Sequence, residues 1–508
     1  MSEARVRLPE LIERLPAREH DIVLRLTDAF DKAGHELYLV GGIVRDLLLG
    51  RGQADLDFTT SATPDQTKQA GAAAKPSATF NVGEQFGTIG FVFQQDGLPD
   101  IVVEVTTYRS ETYPTPDRRP AVSHDVTLRD DLSRRDFTIN AMALDPRDGA
   151  LIDPFGGIAD LGHREIVAVG DAAERFREDP LRILRAARFA AQLGFTIAPD
   201  TLDAMRAQGQ SLERISRERI ATELNRLLTS DHVADGLWAL HEADLIRWVL
   251  PEAQPMAEDD RDSIGARHKD IWDHTVRVVA QTPPRLAVRW AALLHDAAKP
   301  MTRSVDPSGE VHFFGHEIAG ADLARRALRR LKQERWLEQR VALLVAMHLR
   351  GAGYDPGWTD AAVRRLALEA GDAFEDLLDV AAADVTSARA DRQAAASRRV
   401  AGLREHAARL EAEASLAQLQ SPLDGDELMA MFDLPPGIWI KHVKERLREL
   451  VIDGELAIGD RDTAETLARA WISDPDDELA EALAQATRGR RERPPPDSIR
   501  RDADQRRR

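Results

Sequence analysis

The 508-residue chain carries 68 Lys and Arg against 86 Asp and Glu, a formal net charge of −18, which excludes bulk coating of a polyanion and confines any nucleic-acid contact to local basic patches. It has no cysteine, excluding disulfides and thiolate metal sites, and its 43% hydrophobic and 30% charged residues are ordinary for a globular protein of three or four domains. No uninterrupted apolar run reaches membrane-spanning length, and the polar stretch Met1 to Glu10 lacks the order of a secretory signal, so a cytoplasmic protein without a membrane partner is expected.

In chain order, Leu37 to Val40, Asp55 to Phe58, Thr88 to Phe93 and Asp100 to Thr106 read as short strands, with a helix over Ile43 to Leu49 after Gly41-Gly42. From Ala172 onward the pattern is helical: Leu181 to Leu193, Ile215 to Leu228, Trp272 to Ala280, Leu286 to His295, Ile318 to Leu331, Leu337 to His348 and Ala361 to Ala381. Ala401 to Leu419 reads as a long exposed helix, and Pro422 and Pro435-Pro436 punctuate a small helical unit ending near Ile472. From about Arg488 the chain turns Pro- and Arg-rich and reads as a disordered tail. The fold class is therefore α+β, with a head over 20–169, a neck over 170–235, a helical body over 236–395, a helical tail over 396–475 and a disordered extension over 476–508.

Three stretches of the head carry chemistry. The strand Leu37 to Val40, the double glycine and the following helix start bring backbone N–H groups within reach of phosphates, and Arg45 can add a charge-assisted bond. Alone, a glycine pair is more often just a tight turn. Asp55-Leu56-Asp57 opens the next strand, where residues two apart share a face, so the carboxylates converge while Leu56 packs inward. Carboxylates held together repel unless a cation lies between them, and magnesium, an oxygen-seeking ion that also binds substrate phosphates, suits that place. Glu104 is a candidate third carboxylate, although a lone Asp-x-Asp is as readily the polar face of an exposed strand. Arg134-Arg135-Asp136-Phe137 then leads into Asn140-Ala141-Met142, as a triphosphate clamp, an ion pair that orders the site, or an ordinary charged turn.

The combination is far more specific than its parts. Leu39-Val40-Gly41-Gly42-Ile43-Val44-Arg45-Asp46, Asp55-Leu56-Asp57-Phe58-Thr59-Thr60, Arg134 through Met142 and Asp153-Pro154-Phe155-Gly156-Gly157 closely resemble the class II tRNA nucleotidyltransferase and bacterial poly(A) polymerase family, within the polymerase β-like superfamily. The resemblance implies that Gly42, Arg45 and Arg135 bind the incoming nucleotide and that Asp55 and Asp57 hold the catalytic metal, magnesium. CTP, ATP and the 3′ acceptor end of tRNA are the implied partners. The Pro- and Arg-rich stretch between Tyr108 and Asp125 matches the family's flexible loop and favours full CCA addition.

At the neck, Asp179 precedes Arg182, Arg185 and Arg188, which recur every three residues and share one flank. An aspartate accepts hydrogen bonds and an arginine donates them. Cytosine and adenine each offer an amino donor beside a ring-nitrogen acceptor, whereas guanine and uracil would leave polar groups unpaired at about 1–3 kcal/mol each. A helix with internal ion pairs has the same composition; the resemblance implies that Asp179 and Arg182 select the base, with Arg185 and Arg188 assisting. Further on, His274, His295-Asp296, His316, His348 and Asp384, with Lys299-Pro300, are similar in order to the HD phosphohydrolase superfamily. That similarity implies a divalent metal of open identity, held by imidazole and carboxylate, and phosphodiesterase or phosphatase action on RNA 3′ ends.

The expected function is template-independent addition of C, C and A to tRNA with release of pyrophosphate. A poly(A) polymerase of the same family, or an HD phosphohydrolase whose head only binds RNA, are the alternatives. Arg325, Arg326, Arg329 and Arg330 read either as tRNA contacts or as a solvated helix face.

Overall fold

The computed structural model describes residues 5–51, 55–81, 87–112, 121–123, 126–258, 271–385, 390–413, 421–457 and 459–491. Two compact units divide the chain, Met1–Ala346 and Met347–Arg508.

The first unit opens with an eight-stranded sheet made of β1 (Arg5–Arg7), β2 (Leu37–Val40), β3 (Leu56–Thr60), β4 (Ala78–Asn81), β5 (Thr88–Phe93), β6 (Ile101–Thr107), β7 (Ala143–Leu144) and β8 (Ala150–Ile152). Their order is β1-β8-β7-β2-β3-β6-β5-β4. Every neighbouring pair is antiparallel except β3 and β6, which run parallel with Asp57 opposite Glu104. Parallel neighbours need a crossover, and it begins with the helix Pro64–Ala72, whose start is fixed by a Thr63–Gln66 capping box and a first-turn proline. The amphipathic helix Ala17–Lys32, outside the elements expected from the sequence, buries Ile22, Val23, Leu26 and Phe30.

Gly71 lets the crossover helix lie directly on the sheet: a Cβ there would sit 2.2 Å from the Phe91 ring. Gly71→Ala is therefore expected to destabilise the protein by roughly 1–3 kcal/mol through overpacking, read as a Tm lowered by several degrees in a thermal melt.

Past the head the first unit is helical, including Ala172–Glu178, Leu181–Leu193, Arg217–Leu228, Ile271–Gln281, Leu286–Leu294 and His316–Arg330. Buried Arg289 donates to the carbonyls of Leu228 and Ser230, each at 2.6 Å, and of Thr282 at 3.2 Å, satisfying C-terminal carbonyls of two helices that have no intrahelical partner. Arg325, Arg329 and Arg330 are paired with Asp322, Glu338 and Glu252, so three of the four arginines of that helix are engaged in local ion pairs.

The second unit corrects three expectations. Ala361 to Ala381 is not one helix: Gly371, at φ +54°, ends Asp360–Ala370, and after a short 3-10 turn Phe374–Ala383 begins afresh. The long helix runs over Ala390–Glu413 and is not simply exposed, because Ala396, Val400, Leu403 and Leu410 are buried at helical spacing; residues 414–419 of the expected element lie outside the described ones. The chain stays ordered past Ile472: Asp477–Arg491 is a helix that buries Leu479, Ala482 and Ala486 in a core with Trp439 and Leu447. Its charged composition hid that narrow apolar stripe. The proline-rich end and the loop residues Pro114 to Pro120 lie outside the described residues, and among those described no helix is long and apolar enough to cross a membrane.

Candidate active site

The parallel register of β3 and β6 does what sequence spacing alone could not. It sets Asp57 beside Glu104, while Asp55 lies just before β3 and Leu56 is buried beneath. The Asp57 carboxyl is pushed up to about 6, first by burial, then by the Glu104 charge, with Asp55 adding to it and Arg135 opposing. Asp57, flanked by the carboxylates of Glu104 and Asp55 that raise its proton affinity, completes an oxygen-rich donor set. That fits a divalent cation such as magnesium.

The glycine turn closes over the same place. Gly41 adopts φ +78°, a backbone conformation that favours glycine, and the space beside it is taken by Arg135, whose Nη1 would lie 3.1 Å from a Cβ there. Asp131, wholly buried, gathers the arginines by accepting from Arg134 Nη2 at 2.7 Å, Arg135 Nη2 at 3.4 Å and Thr59 Oγ1 of β3 at 3.2 Å. Although burial pushes its carboxyl upward, Arg134 and Arg135 hold it below the usual carboxylate range.

Arg45 is placed otherwise than as an open phosphate contact. It is buried, donating to both oxygens of Asp46 at 2.9 and 3.0 Å and to Asn140 Oδ1 at 2.8 Å. Asn140 Nδ2 donates in turn to Asp136 Oδ1 at 3.1 Å, and Arg185 Nε to Asp136 Oδ2 at 2.7 Å. A continuous polar chain thus runs from the glycine-turn helix to the neck. Arg45, Arg185 and Arg188 also lie over the Phe189 ring at 5.3, 5.4 and 4.3 Å, and Arg188 pairs with Glu223 at 3.2 Å. Burial, followed by the Arg185 charge, brings the Arg188 guanidinium down to about 10.

The structure does not pair Asp179 with Arg182. Asp179 caps the helix Ala172–Glu178 in an extended conformation, accepting from Leu181 N at 3.1 Å and Arg219 Nη2 at 3.3 Å. Arg182 instead donates to Glu178 Oε2 at 2.9 Å and to the carbonyls of Arg134 at 2.7 Å and Arg175 at 3.2 Å. The physical reason is local: Asp179 ends one helix and Pro180 starts the next, so the Asp179 side chain turns to Leu181 N and Arg219 while only its carbonyl meets Arg182 N, at 3.0 Å.

A second cluster sits in the same unit. His295 and His316 each use Nδ1 on a backbone carbonyl, Ala292 O at 2.8 Å and Phe313 O at 2.7 Å. Their Nε2 atoms lie 3.2 and 3.5 Å from Asp296 oxygens, His274 Nε2 is 3.4 Å from Asp296 Oδ2, and Lys299 Nζ is 2.6 Å from it. Imidazoles oriented by a carbonyl on one nitrogen, with the other aimed at a common carboxylate, match the usual build of a histidine metal site. Burial pushes Asp296 upward, but His295, His274 and Lys299 hold it well below the usual range. In the second unit His348 is buried on the helix Arg335–Ala352, and Asp384 is half-buried after Phe374–Ala383.

Comparison with known proteins agrees with this layout. Family models match in succession: the poly A polymerase head domain at 37–167, a probable RNA and SrmB-binding site of polymerase A at 194–256, and an HD domain at 265–389. The A-adding tRNA nucleotidyltransferase of Deinococcus radiodurans is 34% identical over 464 residues, covering 86% of this chain and 95% of its own. The chain belongs to the class II tRNA nucleotidyltransferase family. The CCA-adding enzyme of Leuconostoc citreum is 43% identical over 241 residues, 47% of this chain and 55% of that protein. The chain thus spans little more than half the length of such curated relatives. Among solved structures, the Bacillus stearothermophilus CCA-adding enzyme in complex with CTP superposes with a TM-score of 0.63 at 27% identity, covering 89% of this chain and 98% of that one.

Within the family frame, the residues missed from the sequence are the organisers. Asp131, Asp136, Asn140, Arg219 and Glu223 hold the named site residues in place. The signal for Asp136 and Asn140 was present in the quoted run, whose acid and amide are four apart on one short turn. Arg219 and Glu223 lie in the stretch Ile215 to Leu224, which is similar to the family's neck, but nothing local points to their partners, which are remote in sequence.

Proposed function

We propose that the protein adds C, C and A to the 3′ end of tRNA from CTP and ATP, without a template, at Asp55, Asp57 and Glu104. The observation that carries this reading is the convergence of those carboxylates beside Arg135 and the glycine turn, in a chain of this family. The RNA 3′-hydroxyl oxygen forms a bond to the α-phosphorus of the nucleotide, the bond from that phosphorus to the bridging oxygen breaks, and pyrophosphate leaves. Magnesium held by Asp55 and Asp57, with Glu104 beside them, supplies charge stabilisation for attacking and leaving oxygens when bound. Gly42 and Arg135 face the triphosphate, with Arg45 behind the turn fixing the helix start. The decisive assay supplies tRNA lacking its 3′ end with each labelled nucleotide: three additions ending in A support the reading, and a long A tail or no addition defeats it.

A second reading has one observation in its favour, since the relative matched over most of both chains is named an A-adding enzyme. It predicts no addition to tRNA lacking all three nucleotides and a single A on tRNA ending in CC, so the same assay separates the two.

For base choice, Asp179 is the acceptor, oriented by Arg219, and Arg182 supplies the donor by exchanging its bond to the Arg134 carbonyl for the base; Arg185 and Arg188 hold the helix. Asp179→Ala is expected to reduce discrimination against GTP and UTP by about 10–100-fold, the loss of a complementary polar contact. Unchanged relative kcat/KM for the four nucleotides would remove Asp179 from the role.

The HD cluster is read as a phosphohydrolase centre for RNA 3′ ends, in which His274, His295, Asp296 and His316 would hold a divalent metal. Failure of the purified protein to hydrolyse 2′,3′-cyclic phosphates or simple phosphate esters with any divalent metal would end that reading.

A further inference from the structure

The two faces of the head sheet differ. Ile89, Phe91, Val103 and Val105 are buried on the inner face, where Phe91 meets Gly71 of the crossover helix. Successive side chains of a strand point to opposite sides, so the other face is lined by the residues between them: Val92 with Val102, Gly90 with Glu104, and Thr88 with Thr106. The strand register extends the middle row. It runs from Asp57 of β3 through Glu104 of β6 and Gly90 of β5 to Phe80 of the edge strand β4. Directly opposed residues share a face, so Phe80 stands on the same side of the sheet as the carboxylates of the candidate active site.

Phe80 lies flat there. A Cβ built on Gly90 would meet Phe80 Cζ at 2.4 Å, Cε1 at 2.7 Å and Cε2 at 2.8 Å. An approach in the plane of the ring would leave both Cε atoms much farther away than Cζ, so the near-equal distances put the face of the ring, not its edge, over Gly90. The missing Cβ is what lets the ring rest face-down on β5, one strand spacing of about 5 Å from Glu104 and two from Asp57. Its upper face is open: Phe80 is 42% exposed, and Val102, in the adjoining row of the same face, is 45% exposed. An aromatic ring that covers a cross-strand glycine strengthens a sheet, which accounts for the lower face of Phe80. It gives no reason for an open aromatic face beside the carboxylates.

The two sides of Asp57 are not alike. On the β2 side stand the glycine turn and Arg135, joined to the neck through Arg45, Asn140, Asp136 and Arg185; these face the incoming nucleotide. Strands β6, β5 and β4 lie on the other side. We infer that Phe80 is the platform on which the 3′-terminal nucleobase of the RNA being extended stacks, so that its ribose hydroxyl reaches the carboxylates from the β4 side. The inference rests on the transfer reading proposed above and assigns the half of that site that holds the acceptor strand. A protein segment could also cover an apolar sheet edge, but only an RNA end has a reacting atom to bring to Asp57 and Glu104. Bases stack on aromatic side chains without strong sequence preference, which suits a site whose acceptor end changes with each addition. The neck reads the base that arrives, and Phe80 holds the base already there.

The test compares the full chain with Phe80→Ala, Phe80→Leu and Phe80→Trp on tRNA ending in CC and on the same tRNA with an abasic 3′-terminal nucleotide. Equilibrium binding and single-turnover addition from ATP are measured, with thermal melts as the folding control; leucine keeps an apolar cover on Gly90 without an aromatic face. Phe80→Ala and Phe80→Leu are expected to bind the intact tRNA about tenfold more weakly, Phe80→Trp to match the parent, and half-saturation by ATP to stay the same in all four proteins. The parent should bind the abasic tRNA about tenfold more weakly than the intact one, and the variants should lose nothing further on it. The inference is overturned if the parent binds both tRNAs equally, if folded Phe80→Leu keeps parental affinity for the intact tRNA, or if the abasic tRNA is as sensitive to the substitutions as the intact one. It is also overturned if half-saturation by ATP rises as much as that by tRNA, as a distorted sheet would give. A parent that adds nothing to tRNA yet binds the intact end in a Phe80-dependent way would end the transfer reading and leave the platform standing.

Discussion

Asp57→Asn is expected to lower nucleotide addition by ~1,000-fold or more, the effect of losing several kcal/mol of charge stabilisation at the reacting phosphate, while making the metal-free protein more stable. The second half of that expectation distinguishes a site residue from a structural one. Burial, Glu104 and Asp55 together raise the Asp57 carboxyl from 3.8 to about 6, so its ionisation opposes folding. With the folded value above the unfolded one, the penalty is absent below about pH 4, grows between about pH 4 and 6, and is fully present above that. An amide removes it. At pH 7.5 the variant should gain roughly 1–2 kcal/mol, a figure reduced from the full shift because Asp57 is partly open to solvent, and at pH 3.5 the advantage should vanish. Magnesium should stabilise the parent, as any ligand of the folded state does, and the variant much less. Thermal melts across pH with and without magnesium, beside single-turnover incorporation, check the whole set. A metal-free variant less stable than the parent, or near-parental incorporation, would show that Asp57 is not a cation ligand of the transfer site.

How far the sequence reached is visible in these same residues. Local signals found the glycine turn, the strands β2, β5 and β6 and the helix Leu181–Leu193 almost to the residue, because each is set by short-range periodicity or by a glycine. Asp57 and Asp55 were legible as a pair, but Glu104 became their neighbour only through the parallel pairing of β3 with β6, a register decided by remote strands. The same limit explains Asp179. Its spacing suggested Arg182, yet its partner is Arg219, forty positions on, and nothing between them signals the contact. Nor does the sequence tell which acids of an arginine-rich run are buried. Asp131 and Asp136 are the buried nodes on which Arg134, Arg135, Asn140 and Arg185 converge.

Asp136→Ala is accordingly expected to be among the most disruptive single changes in the head, costing about 3–5 kcal/mol. The carboxylate is buried, accepts from Phe137 N at 2.8 Å, Asn140 Nδ2 at 3.1 Å and Arg185 Nε at 2.7 Å, and its removal takes from the half-buried Arg185 guanidinium its bonded carboxylate and leaves Asn140 Nδ2 without its acceptor. Burial pushes the carboxyl upward, but the Arg185 charge and the bonds from Asn140 and Arg185 prevail and bring it down to about 2. Because the folded value lies below the unfolded one, this stability is present above about pH 4 and is lost as pH falls through 3.8 toward 2. The parent should therefore show a steeper loss of Tm between pH 5 and 2 than Asp136→Asn, which has no such proton to bind. Since Asp136 joins Arg45 and Asn140 on one side to Arg185 on the other, the asparagine variant should also raise KM for the nucleotide more than it lowers kcat: the glycine turn and the neck would each be intact and no longer held in register. An unchanged KM in a folded Asp136→Asn protein would show that the two elements are positioned by their apolar packing alone, with Phe137 against Phe189 at 5.8 Å sufficient to hold them.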